Sequence, residues 1–363
     1  MIIALSKQSL AKLMSKQVSV PTNPVGGPAA WMGSKIQTCA DWIFHLNESD
    51  ILELEHAFEN ARAQGKTIFD ITKTDFPLHV LGEKLVSIRF ELEHGPGLKL
   101  IRGLPVTKWG EDKSTAIYWG IGQYLGEPVA QNMMGELLGH VQAAGLENWN
   151  ENHKVRGYQT TVHLPFHCDK SDVVGLLCLQ VAKSGGTSNI SSAVTIHDEI
   201  LRTRPDLLAA LYEQFAIDHR GEEFPGEAPF YMAPTFAMHK GRFFSRFGMK
   251  YVESAQRYEQ VDPLSPLQIE AMAYFNQLAS RDDIRLDMEF KPGDIQFLNN
   301  HLMVHSRTDY KDWPEPELRR HLIRMLLFTP SYSDQNVPPE FAELNCFIRR
   351  WGAEPRVSVL ANS

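Results

Sequence analysis

The sequence predicts a mainly β domain with flanking helices, and three observations carry that reading. Short runs of branched and aromatic residues, separated by turn residues, fill the middle of the chain at 158–164, 173–181, 188–192 and 242–247. A Pro-Gly-Asp turn at Pro292 to Asp294 launches another run through Phe297, and 321–328 reads as the last strand. Apolar residues at helical spacing occupy only a few segments around these runs.

Taken in order, the chain starts with a segment that cannot continue a helix or a central strand, Val20-Pro-Thr-Asn-Pro-Val-Gly-Gly-Pro28. Residues 1–34 are therefore expected to be an extended arm, ahead of a single domain over 35–330 and a C-terminal extension, 331–363, packed on it. A surface helix is expected from Asn47 or Ser49, with Ile51, Leu54, Phe58 and Ala61 on one face and Gly65 as its stop. Residues 86–92 and 98–102 read as strands. Ile117, Ile121 and Leu125 recur every fourth position and predict a helix over 114–125. Two helices interrupt the β-rich middle. One covers 194–201, and the other starts at Ser265, where Ser-Pro supplies an N-cap and a proline at the first helical position; Leu267, Met272, Phe275 and Leu278 would form its buried face.

Composition narrows the partners. The chain has 363 residues, 36 basic against 44 acidic side chains, and no run of Lys or Arg. Such a balance disfavours nucleic acid and leaves a small molecule as the expected partner. Cys39, Cys168, Cys178 and Cys346 show no C-x-x-C spacing, so a reducing, cytoplasmic location is expected rather than a disulfide framework or a zinc knuckle. The apolar start Met1-Ile-Ile-Ala-Leu5 is too short for a signal-peptide core. The run over 173–181, interrupted by Gly175 and Gln180, falls short of the roughly 18 residues that cross a bilayer, so no membrane is expected.

Two clusters carry chemistry. In His167-Cys-Asp169 the imidazole and the carboxylate lie two residues apart, and on a strand they point to one face, where they can bind one ion together. An H-x-D triplet alone says little. Far downstream follow Gly293-Asp-Ile-Gln-Phe-Leu-Asn-Asn-His-Leu-Met-Val-His305 and Arg319-Arg320-His321-Leu-Ile-Arg324. This order of H-x-D, an Asn-Asn-x4-His segment and R-x3-R before a terminal strand resembles the taurine dioxygenase family, which includes the clavaminate synthase-like enzymes. The resemblance runs from the mid-thirties to about 330, and it includes Asp172-Val-Val-Gly-Leu-Leu-Cys-Leu and Lys183-Ser-Gly-Gly-Thr-Ser188.

That resemblance implies a double-stranded β-helix, or jelly roll, with a metal inside one end. It implies an Fe(II)- and 2-oxoglutarate-dependent dioxygenase that oxidises an unactivated C–H bond of a small molecule, with release of succinate and CO2. His167, Asp169 and His305 are the implied catalytic and iron-binding triad, leaving three coordination positions for the cosubstrate and O2. Arg320 is the implied clamp on the far carboxylate of 2-oxoglutarate, with Arg319 beside it as the alternative because the Asp312-Trp-Pro-Glu-Pro-Glu insertion intervenes. Ser188, or its neighbour Thr187, is the implied hydroxyl on the cosubstrate. Arg324 lies four residues beyond Arg320, a spacing that on a strand returns both to one face; in similar enzymes this second arginine meets a substrate's anionic group, which implies a carboxylate-bearing substrate. Gln131, Asn132, Tyr158 and Gln159 are candidate substrate contacts, although each could equally satisfy buried backbone groups.

The carboxylate of Asp169 favours hydroxylation, desaturation or oxidative cyclisation over halogenation. His163 is expected in the pocket or core, His305 rather than His301 at the metal, and His321 in a structural or exposed role. Cys168 should face away from the ion. Residues 221–234 read equally as a lid or as an ordinary loop. Two rival readings stay open: a zinc-dependent hydrolase, which leaves the arginines without a role, and a non-catalytic jelly-roll binding protein, which would predict a damaged triad.

Overall fold

The strand His321–Phe328 shows how the chain is layered. In the computed structural model, which describes residues 20–146 and 155–353, alternate side chains of this strand enter two different apolar clusters. Leu326 and Phe328 join a cluster shared with Ile190 and Val304, whereas Ile323, Met325 and Leu327 join another with Leu54, Leu85 and Ile117. Period-two alternation thus puts one face of the strand against a second sheet and the other against helices.

In chain order the strands are β1 (Ile43–His45), β2 (Leu98–Arg102), β3 (Glu127–Val129), β4 (Leu138–Val141), β5 (Leu164–His167), β6 (Val173–Gln180), β7 (Ser184–Gly185), β8 (Ser188–Ser192), β9 (Gln214–Asp218), β10 (Phe230–Pro234), β11 (Phe236–His239), β12 (Arg242–Ser245), β13 (Arg285–Met288), β14 (Ile295–Asn299), β15 (Met303–Arg307), β16 (Tyr310–Lys311) and β17 (His321–Phe328). A large sheet has the order β1-β2-β14-β6-β17-β3, with β4 also on β17, and only the β1–β2 pair is parallel. A four-stranded antiparallel sheet, β13-β8-β15-β5, lies against it. Helices Glu48–Ala63, Leu81–His94 and Val106–Leu125 cover the outer face of the large sheet; Ala193–Thr203 and Pro266–Ala279 share the main cluster with the small one. More residues lie in helices than in strands, so "mainly β" describes the core rather than the chain.

Several local expectations meet their geometry. Asn47 caps Glu48–Ala63, its side chain accepting from the Asp50 N–H at 3.0 Å while Asp50 reaches back to the Asn47 N–H. Ser265 and Gln268 make the same reciprocal cap, with Pro266 at the first helical position. Others are corrected. Residues 86–92 belong to a helix, because Leu81, Leu85, Ile88 and Leu92 are the buried set at helical spacing; the exposed Val86 and Phe90 only imitated a strand's alternation. The helix expected over 114–125 starts earlier, at Val106, and breaks at Gly110, whose φ is +76°. The strand expected over 158–164 is absent: a single 3-10 turn occupies Gly157–Gln159, β5 starts only at Leu164, and His163 just before it is exposed. Leu267 is 39% exposed, since the buried stripe of its helix runs through Ala271, Met272, Phe275 and Leu278.

Of the expected arm, residues 1–19 lie outside the described residues. Beyond them, the Val25 and Gly26 N–H groups donate to the Asp198 carboxylate at 2.7 and 2.9 Å, and Ala29 and Trp31 enter the main core. The helix Pro339–Ala353 buries Phe341, Leu344, Ile348 and Trp351 against the domain. Among the described residues no helix is long and apolar enough to cross a membrane.

The Pro-Gly-Asp turn that launches β14 is clamped to β2. Asp294 is buried and takes both Arg102 Nε and Nη2, at 2.8 and 2.7 Å. Gly293 has φ +88°, and a Cβ there would stand 2.0 Å from the Leu104 carbonyl oxygen. Strain and overlap add, so Gly293→Ala should destabilise the fold by at least about 2 kcal/mol, read as a shifted urea midpoint at unchanged slope.

His219, stacked on Phe347 of the terminal helix at 4.4 Å, offers a pH test. Burial, with Lys170 adding and Asp218 opposing, pushes its imidazole down to about 3. Between pH 6.5 and 3 the unfolded chain therefore binds the proton that the folded one refuses, and stability falls as the pH falls, by about 2–3 kcal/mol near pH 4.5. Thermal melts at pH 7 and 4.5 should show a smaller drop in His219→Phe than in the wild type.

Candidate active site

The pairing of β5 with β15 sets His167 directly opposite His305. Their ring centroids lie 4.4 Å apart. The chain leaves β5 at His167, so Asp169 is not on the strand as expected; the turn that follows carries it round, and His305 Nε2 comes to 3.6 Å from Asp169 Oδ2. One ligand atom from each of the three side chains falls within 4.8 Å of the others. Asn300 holds that turn, accepting from the Asp169 N–H at 3.1 Å and donating to Ser171 Oγ at 3.0 Å. His301 does not approach the group. It is fully buried against Asp172, with Nε2 2.8 Å from Oδ1.

Protonation states suit metal ligation. His167 Nδ1 lies 2.8 Å from the Pro165 carbonyl, which can only accept, so this nitrogen carries the proton and Nε2 keeps its lone pair. Burial lowers the pKa of His167 and pushes His305 down to about 3, so both rings are neutral at ordinary pH. Burial works to raise Asp169, but Arg324 and the two imidazoles outweigh it, and its carboxyl sits below the usual range. Arg324 Nη1 donates to Asp169 Oδ1 at 3.0 Å, which leaves Oδ2 for an ion. Two imidazoles and a carboxylate with one free oxygen are a donor set that fits a divalent iron with open positions.

Other named residues divide. Arg324 lies in β17, whereas Arg320 is the residue just before that strand. Arg320 is 5% exposed, 5.2 Å from the Tyr310 ring, and its Nη1 has no hydrogen-bond partner among the described residues. Arg319 points outward instead, donating to the Trp313 and Pro314 carbonyls of the insertion. Ser188 is buried and accepts from Gln296 Nε2 at 3.0 Å, whereas Thr187 turns away to the Glu289 carboxylate. Gln131 accepts from Arg324 Nε at 2.6 Å, and Tyr158 lies 5.1 Å beneath the same guanidinium. Both line a cavity of about 140 Å³ together with Asn132, His167, Asp169 and Arg324. Gln159 is not in that wall; its side chain accepts from the Arg156 N–H and caps the local turn.

His321 faces the opposite side of β17. It is buried rather than exposed, with Nε2 2.9 Å from His140 Nδ1 and Nδ1 3.7 Å from Glu111 Oε2. Although these three could also hold an ion, Glu111 and His140 are half exposed and none of the three lines the cavity. Cys168 is held by the Phe247 backbone, its Sγ accepting from the N–H at 3.2 Å, but it also contributes to the cavity wall.

Sequence reasoning missed three groups. Arg307 is 5% exposed near Tyr310, donates to the Thr160 and Val162 carbonyls, and keeps Nη1 without a partner among the described residues; burial, with Arg320 adding, lowers it to about 10. Its position two beyond His305 on β15 was the available signal. Lys170 and Arg246 stand in the cavity wall without any motif to announce them. Residues 221–234, read as lid or loop, include β10, and Glu222 and Tyr231 wall the cavity.

The model of the family described as "Taurine catabolism dioxygenase TauD, TfdA family" matches residues 62–326. The chain belongs to that family. Among curated relatives of this dioxygenase, FR-33289 synthase of Streptomyces rubellomurinus is 31% identical over 310 residues, covering 85% of this chain and 91% of its own. The taurine hydroxylase-like protein SAT17 of Stachybotrys chartarum is 28% identical over 303 residues, covering 82% and 78%. In fold, the dioxygenase is similar to asparagine oxygenase, crystallised with Fe(II), 3-hydroxyasparagine and succinate, at TM-score 0.62 and 20% identity over 79% of this chain and 94% of that one. It is also similar to the non-haem iron oxygenase OrfP, crystallised with Fe, succinate and hydroxyarginine, at TM-score 0.59 and 15% identity over 79% and 94%. This dioxygenase is an oxidoreductase that depends on Fe(II), 2-oxoglutarate and O2 and acts on a small molecule. The zinc-hydrolase and binding-protein readings fall with that membership.

Asn300 touches no ligand atom; it fixes the backbone that carries one. Asn300→Ala should weaken Fe(II) binding by about 10- to 100-fold with the fold retained, measured by anaerobic titration against a competing chelator.

Proposed function

We propose that His167, Asp169 and His305 hold the iron, that Arg320 and Ser188 anchor 2-oxoglutarate, and that the substrate is a small carboxylate-bearing molecule met by Arg324, with Gln131, Asn132 and Tyr158 beside it. The two sheets are taken as the halves of a double-stranded β-helix, in one catalytic domain over 35–330 with the following segment packed on it. Four unpaired cysteines suit a cytoplasmic enzyme. One observation carries the reading: the neutral imidazoles of His167 and His305 converge with the Asp169 carboxylate, His167 and Asp169 stand in the cavity wall, and the buried Arg320 lacks an Nη1 partner among the described residues.

Bound iron and 2-oxoglutarate supply the oxidising chemistry, in which O2 is consumed, the cosubstrate becomes succinate and CO2, and a C–H bond is oxidised. The chain's part is placement. Arg324 occupies Asp169 Oδ1 and so holds the carboxylate to one-oxygen binding. The Pro165 carbonyl fixes the ring of His167. Arg320, desolvated and planar, matches a carboxylate with two parallel hydrogen bonds. Gln131 holds Arg324 Nε, which turns the remaining guanidinium edge toward the cavity. Because Asp169 keeps its carboxylate, the outcome is hydroxylation, desaturation or oxidative cyclisation.

Anaerobic titration of the Fe(II)-loaded protein with 2-oxoglutarate should develop the weak visible metal-to-ligand charge-transfer band of chelation. The band should be lost in His167→Ala, and in Arg320→Ala half-saturation should need at least about tenfold more cosubstrate. Folded, iron-loaded wild type without a band would sink the assignment. For Arg324→Ala, KM for carboxylate substrates should rise by about 10- to 100-fold; unchanged activity on every carboxylate tried would remove the substrate role.

A further inference from the structure

Resting on that reading of the cavity, we infer that the substrate carries a second anionic group, received by Lys170 and Arg246. Among the cations of the cavity wall these two stand apart: Arg220 donates to the Val155 carbonyl at 3.3 Å and lies 5.7 Å over the Tyr251 ring. Arg156 takes Glu222 at 2.6 Å, and Arg324 takes Asp169 at 3.0 Å. Lys250 bonds Glu253 at 3.0 Å, outside the wall. Among the described residues no carboxylate bonds Lys170 or Arg246; Glu222 and Asp218 act on Lys170, and Asp169 on Arg246, only from a longer distance. The Lys170 ammonium is buried and has no hydrogen-bond acceptor among the described residues. Arg246 is 6% exposed, and neither Nε nor Nη2 finds a partner there; only Nη1 reaches the Asp169 carbonyl, at 3.5 Å.

Buried cations are kept where they are paired and hydrogen-bonded, since desolvation otherwise works against the fold. Rings of Tyr231, Tyr251 and Trp351 stand 5.5 to 5.8 Å from Lys170 Nζ, and Phe341 lies 4.9 Å from the Arg246 guanidinium. They exclude water and give partial cation–π compensation, but they accept no N–H in the way an oxygen does. Three ammonium protons and a guanidinium edge thus find no oxygen acceptor among the described residues. The cosubstrate does not supply them, because its carboxylates are assigned to the iron and to Arg320, which is not in this wall. The missing acceptor is an oxyanion of the substrate, a carboxylate or a phosphonate, so that Arg324 and the Lys170–Arg246 pair take two anionic groups of one small molecule.

Calorimetric titration of the anaerobic Fe(II)·2-oxoglutarate protein with butyrate, glutarate and 4-phosphonobutyrate tests this. At least one dianion should bind at least tenfold tighter than butyrate, and whichever of the two binds tighter identifies the oxyanion. The advantage should vanish in Lys170→Met and in Arg246→Met and persist in Lys170→Arg, with the charge-transfer band present in each variant to show an intact site. A normal band with no dianion advantage in the wild type, or an advantage that survives both methionine variants, overturns the inference while the iron and cosubstrate assignment stands. Loss of the band in the wild type overturns that assignment and this inference with it.

Discussion

Everything at the catalytic end hangs on the antiparallel register of β5 and β15. That pairing sets His167 opposite His305, and a slip of one residue would turn both imidazoles to the wrong face. The small sheet secures it from the other side, where β8 pairs along the whole of β15 and seats Ile190 opposite His305. Neutral rings follow from the same burial. An imidazole that packing keeps deprotonated is a ready ligand, so the core that stabilises the domain also prepares the site.

Charge is apportioned around one strand. β17 carries Arg324, paired with Asp169 and Gln131, and directly before the strand Arg320 stands desolvated near Tyr310. On its outer face the same strand packs against the helix Val106–Leu125 and the paired imidazoles of His140 and His321. Two buried guanidiniums can stand here only because each has a counter-charge or an expected anionic ligand. Arg324 beside Asp169 meets the first condition, and on the proposed assignment 2-oxoglutarate would meet the second for Arg320.

The Asn-Asn-x4-His motif gains a physical meaning from the turn after β5. Asn299 bonds the Leu92 carbonyl and the Tyr332 hydroxyl, Asn300 holds the Asp169 and Ser171 turn, and His301 closes on Asp172. The first three residues of the motif are therefore scaffolding, and the final histidine stands 3.6 Å from Asp169 Oδ2. Similarity to known dioxygenases over most of the chain fits this division, since the scaffold must survive for the triad to form.

Residues whose roles depend on short-range spacing were legible. Asn47 and Ser265 precede their helices and Pro292-Gly-Asp launches a strand, and in each case local backbone geometry decides the outcome; His167 and Asp169 come together through the turn after β5, not along the strand. Where two periodicities overlapped, as at Val86, Ile88 and Phe90, packing chose the helix that buries Leu85 and Leu92. The outward turn of Thr187, the capping role of Gln159, and the solitary charges of Lys170 and Arg246 were not legible. Each depends on a partner or a void built from segments distant in the chain, such as the Arg156–Glu222 pair or the helix that brings Trp351 to Lys170. By itself the sequence determined the family, the class of chemistry and most of the elements, because its motifs carry the first two and its spacing the third. Only the tertiary structure decided which cations remain unpaired in the cavity, because burial and charge pairing are properties of the packed chain.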